Sequence, residues 1–143
     1  MSHETPETLA TPRDHQRLEL ARLALLRVHK LLLDVERARY EKVHGRVPNN
    51  ASFLQLAAYD PFFDWLRPML QLVLLIDERE ADRRHPLGTA EAQALFARAR
   101  TMLTADDAGD AFQRLYARAL QQAPPLAVLA RQVSLHLGEA LGE

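Results

Sequence analysis

TPRDHQRLELARLALLRVHKLLLDVERARYEKVHG, residues 11–45, decides the fold. Its two ends carry opposite punctuation. Thr11 is placed to cap a helix, Pro12 to occupy its first position, and Asp14 to be the acidic member of a capping-box pair. Gly45 supplies the stop, because a residue tolerant of positive φ ends a helix at little cost. Between them Leu18, Leu25, Leu26, Leu32, Leu33 and Val43 recur at helical spacing. The stretch therefore predicts one helix over Pro12–His44, roughly 50 Å long at 1.5 Å per residue.

The apolar stripe of that helix is interrupted by polar side chains. At 100° per residue, Arg22, His29, Glu36 and Tyr40 fall within about 40° of one another among the leucines. Burying a charge or an imidazole without hydrogen bonds costs several kcal/mol, so the fold must bring partners to this row.

Working outward, residues 46–51 (RVPNNA) read as a turn. Ser52 with Gln55 forms a capping box for a short helix over 53–59, and Asp60 followed by Pro61 restarts a helix that runs to about residue 84. Pro68 lacks an N–H and clashes with the carbonyl four residues back, so it should kink or split that helix. Residues 69–76 are apolar on nearly all sides, which makes this the expected central, most buried element. His85, Pro86, Leu87 and Gly88 break the chain, and Thr89 can cap a helix with Leu95, Phe96, Ala99, Met102 and Leu103 on one face. Thr104 with Asp107 forms another box, although Gly109 weakens that turn and moves the start toward Asp110. Pro124 and Pro125 open a last helix through Leu126, Leu129, Val133 and Leu137. No stretch reads as a strand. The expectation is an all-α helical bundle of five to six helices, with one long N-terminal helix and a Pro-kinked central one, and with residues 1–10 as a flexible tail ahead of a single domain over 11–143.

At helix-to-helix register, antiparallel packing puts His29 level with Asp77, and Glu36 level with Arg67, with Arg22 a second partner for Glu36. The expected result is a closed network of Arg22, His29, Glu36, Tyr40, Arg67 and Asp77. A carboxylate-held imidazole could alternatively be an acid, a base or a ligand-binding group. Glu41 with His44, and Asp82 with His85, have the spacing of carboxylate–histidine metal motifs. They fall at opposite ends of the proposed helix pair, so no metal site is expected; His29, Glu36 and Asp77 are the residues a metal would otherwise use. A haem would need His29 as axial ligand with only His136 to spare, and no cofactor is expected. Residues 59–67 (YDPFFDWLR) hold four of the chain's nine aromatic residues, so Phe63 and Trp65 are candidates for a partner interface as well as for core.

Composition excludes several classes. Eighteen Lys and Arg against nineteen Asp and Glu leave a formal charge of −1, with no global field for nucleic acid or an anionic membrane. The absence of cysteine removes disulfides, zinc ribbons and thiol nucleophiles. No signal-like or membrane-spanning run is read, which points to a cytoplasmic protein. Glycine-rich phosphate loops, nucleophile elbows and zinc-protease motifs are missing too.

The stretches HKLLLDVERARYEKVHG (29–45), LQLAAYDPFFDWLRPM (54–69) and LLIDE (74–78) resemble a family of small bacterial all-helical proteins of unassigned function. That resemblance implies a bacterial cytoplasmic helical protein and transfers no activity to any residue. From the residues themselves, the expected function is a non-enzymatic binding or protein-interaction module that forms homodimers through its long or its central helix. The competing expectation is a bundle binding a small ligand, metal or haem, or an enzyme, through His29, Glu36, Tyr40 and Asp77.

Overall fold

The computed structural model describes residues 8–140, and residues 1–7 and 141–143 lie outside it. The chain is all-α: α1 (Pro12–His44), α2 (Asn50–Tyr59), a 3-10 helix (Pro61–Leu66), α3 (Arg67–Ala81), α4 (Thr89–Met102), α5 (Ala111–Gln122) and α6 (Pro124–Ala140). Both ends of α1 follow the expected chemistry. Thr11 Oγ1 accepts from the Asp14 N–H at 3.1 Å, Asp14 Oδ2 accepts from the Thr11 N–H at 2.9 Å, and Gly45 sits at φ 87°.

The hub of the core is α1, which packs against α3, α4 and α6. Leu18, Ala21, Leu25, Val28 and Leu32 form its fully buried stripe. This corrects the expectation that α3 is the most buried element. Met69, Leu72, Val73 and Ile76 of α3 are buried, but Leu70 and Leu74 are 39% and 57% exposed, because one side of α3 is left without a covering helix. An all-round apolar sequence records what a helix could bury; the number of neighbours decides what it does bury.

Pro68 splits the expected long helix as its chemistry requires. The segment before it winds as the 3-10 helix capped by Asp60, and Pro68 then occupies the first turn of α3, where its missing N–H breaks no bond. Three caps differ from expectation. Asn49, not Ser52, caps α2, accepting from the Ser52 N–H at 2.8 Å. Asp110 with Gln113, not Thr104 with Asp107, forms the box that opens α5. Thr89 is the first residue of α4 rather than its cap, and its hydroxyl is used elsewhere.

Residues 8–10 are not a free tail. Leu9 and Gly88 form an antiparallel bridge; the Ala10 N–H donates to the Leu87 carbonyl at 2.9 Å and the Thr89 N–H to the Thr8 carbonyl at 2.8 Å. The Thr89 hydroxyl donates to Asp14 Oδ2 at 2.5 Å, so the carboxylate that caps α1 also ties down the start of α4. The Thr89 bond, then those from Thr11, hold the buried Asp14 carboxyl below its ordinary value. Arg79 reinforces this end with a two-point pair to Glu91 across α3 and α4, at 2.8 and 3.0 Å.

Candidate functional site

The polar row of α1 does not converge into one network. Arg22 Nε donates to Asp77 Oδ1 at 2.5 Å, with Glu19 a second partner, and the Asp77 bond is the main reason the guanidinium is held more firmly charged. Glu36, buried on α1, accepts from Arg39 three residues on, at 2.9 Å, and the Arg39 guanidinium lies 4.4 Å from the Phe62 ring centre. Tyr40 is held by rings: His44 at 4.4 Å, Phe62 at 5.3 Å and Phe63 at 5.7 Å between centroids. Arg67 pairs with Asp64 and donates to the Asp60 carbonyl at 3.3 Å, leaving its buried Nε–H without an acceptor.

The expected pairs of His29 with Asp77, and of Glu36 with Arg67 or Arg22, are therefore corrected. Asp77 meets α1 at Arg22, seven residues and about 10 Å from His29. The cause is the connection. After α2 the chain re-enters beside Tyr40, about a turn below His44, and a 3-10 helix rises about 2.0 Å per residue instead of 1.5. Both effects carry α3 further along α1 than a helix starting opposite His44 would reach.

His29 is left in a different place. It is half-buried, has no hydrogen-bond partner among the described residues, and lines a groove of about 460 Å³ between α1, α2 and α3. Burial pushes its imidazole below the ordinary histidine value, so it is neutral at pH 7. Leu33 stands beside it on α1; Leu54, Ala57 and Ala58 form the α2 wall; Leu66, Leu70 and Leu74 form the opposite wall, with Arg67 and Gln71 its polar members. Leu54, Leu70 and Leu74 are exposed at the rim.

Two uncharged runs build these walls: 47–59 (VPNNASFLQLAAY) and 68–76 (PMLQLVLLI) contain no Asp, Glu, Lys or Arg. A surface helix ordinarily carries charge on its solvent side, so this absence was a readable signal that sequence reasoning treated as burial. Phe63 is fully buried against Tyr40, Phe53 and Phe62, so it is core and is removed as an interface candidate. Trp65 is half-buried with its ring 5.5 Å from that of Phe112.

The carboxylate–histidine spacings are spent on local structure. Glu41 accepts from the Val47 N–H at 2.7 Å, and Asp82 from the N–H groups of Arg84 and His85. Among the described residues no three His, Asp or Glu side chains converge as metal ligands, and no helix is long and apolar enough to cross a membrane. Comparisons with protein families, curated proteins and solved structures found no match to this chain.

Proposed function

We propose that this chain is a protein-interaction module, acting by binding rather than catalysis in a bacterial cytoplasm as the resemblance over 29–78 implies, and that the α1–α2–α3 groove is its binding face. One observation carries the proposal: an open groove whose two helical walls are apolar but for Gln71 and the single charge of Arg67, and whose rim presents Leu54, Leu70 and Leu74 to solvent. Apolar grooves with leucine rims receive apolar helix faces, and leaving such a face in water is unfavourable by about 25 cal/mol per Å².

A polarity-sensitive naphthalene sulfonate dye tests the groove. At low micromolar protein its fluorescence rises with the wild type and falls to background in Leu54→Lys/Leu74→Lys, with helical circular dichroism unchanged. A folded wild type that leaves the dye dark removes the groove as an apolar receptor.

A second reading, a small-ligand site, has one observation in its favour, the unpartnered imidazole of His29 in the groove wall. A ligand bearing a carboxylate would raise the His29 pKa, which proton NMR of the imidazole reads directly. An unchanged titration across a screen of small carboxylic acids counts against it.

A further inference from the structure

We infer that the occupant of this groove is a second copy of the chain, seated antiparallel along α3 about a two-fold axis passing near Gln71 and Leu74. The inference rests on the reading of the groove as a binding face and names its partner.

One side of α3 carries the half-buried Arg67 and the exposed Gln71, Leu74 and Glu78 at steps of four, three and four residues, which is the spacing of one helix face. Arg67 and Glu78 stand eleven residues apart, so they point within about 20° of each other, separated by about 16 Å along the helix. The stripe thus has a cation at one end, an acid at the other, and an uncharged centre. An isologous contact sets a surface against itself, so a charged centre would face its own sign, whereas this one brings only Gln71 and Leu74 together. Reversing the helix about that centre puts each Arg67 opposite the other copy's Glu78, giving two opposite-charge contacts from one sequence.

The acid of the stripe is unpaired within the described residues of its own chain. Glu78 is exposed and has no hydrogen bond or ion pair among the described residues. Arg67 is paired with the exposed Asp64 of its own chain and donates to the Asp60 carbonyl, so the opposing Glu78 would join that pair at its solvent side rather than meet a free cation. Leu54 and Leu70 flank the stripe and would lose their exposure to the opposing copy. A parallel arrangement would bring Arg67 against Arg67 and Glu78 against Glu78, so the charge pattern also selects the direction of the pairing.

Sedimentation equilibrium tests this, with circular dichroism confirming that each variant is folded. The wild type shows a reversible equilibrium between the 16.2 kDa monomer and a species of twice that mass. Glu78→Arg raises the dissociation constant about tenfold by turning two attractions into repulsions, and Leu74→Glu raises it at least about a hundredfold. Arg67→Glu also weakens self-association. Mixing Arg67→Glu with Glu78→Arg then restores dimers, because every pair in that heterodimer again has opposite signs; a substitution that merely disturbed the fold would not be rescued by a partner. A wild type that stays at 16.2 kDa to high micromolar concentration overturns the second copy as occupant, as does a dimer indifferent to Glu78→Arg and Leu74→Glu. If the dye still enters the groove in that case, the binding-face reading stands and only its occupant is wrong; a dark dye removes both.

Discussion

The end of the bundle where α1 and α4 begin and the groove midway along α1 treat polar groups in opposite ways. At the former, Thr11, Asp14, Thr89, Arg79 and Glu91 bond one another across three helices, and the backbone of residues 8–10 is bonded to 87–89. Around the latter, two uncharged runs surround one imidazole without a partner. Polar side chains at the first site are consumed by the fold, since each satisfies a helix end or a neighbouring charge. At the second, the fold leaves apolar surface in water and a half-buried imidazole with no partner among the described residues, and the apolar surface lowers stability until an occupant covers it. Uncovered apolar surface is thus the better guide to binding here than clustered charge.

The largest effect comes from breaking what joins the two regions. Leu25 lies fully buried on α1 between Asp14 and Tyr40, in the stripe that contacts the rest of the core. Leu25→Ala should cost about 2–5 kcal/mol, from lost transfer energy and the cavity left behind. In urea, Trp65 fluorescence reports the packing of the 3-10 helix that leads into α3 against Phe112 of α5, and helical circular dichroism reports the whole; both midpoints should fall together. Separate midpoints would mean that the two regions unfold independently, and the contrast between them would then be one of subdomains.

A smaller effect of opposite sign should come from the groove. His29→Leu removes an unpaired half-buried polar group and should raise stability by about 1 kcal/mol at pH 7. The pH dependence has a definite sign. Because burial depresses the folded-state pKa, the unfolded chain binds more protons than the folded chain as pH falls below 6.5. Stability is therefore complete above 6.5 and is lost as pH falls through the folded value; His29→Leu should flatten that part of the profile. A variant that is less stable at pH 7 and keeps the slope would show that the imidazole is satisfied.

What was legible in the sequence divides along the same line. The ends of α1 could be read because caps are made by residues three or four apart, and the helix did run Pro12–His44. Asn49 and Ser52 can both cap, as can Thr104 and Asp110, so local chemistry could not choose between them. The partners of the Arg22, His29, Glu36 and Tyr40 row depended on the axial register of α3, and that was set by a 3-10 segment whose rise no spacing rule revealed. Asp14 was recognised as a cap, but its bond to Thr89 spans seventy-five residues and has no local signature. The open side of α3 was visible as an absence of charge and was misread as depth.

The smallest stability change should come from loosening the polar end without removing its cap. Thr89→Val keeps the shape of the first residue of α4 and deletes the hydroxyl that donates to Asp14. That bond is the largest contribution holding the Asp14 carboxyl below 3.8, so its pKa should rise toward that value while the Thr11 contacts keep it from rising further. A carboxyl with a depressed folded pKa stabilises the fold above its unfolded value and loses that contribution as pH falls through the folded value. Thr89→Val should consequently begin to lose stability at a higher pH than the wild type, with a neutral-pH change smaller than that of His29→Leu. Carboxyl carbon NMR of Asp14 provides the direct readout. An unmoved titration would show that Thr11 alone sets the charge on Asp14, leaving the backbone pairing of residues 8–10 with 87–89 as what fastens α4 to the start of α1.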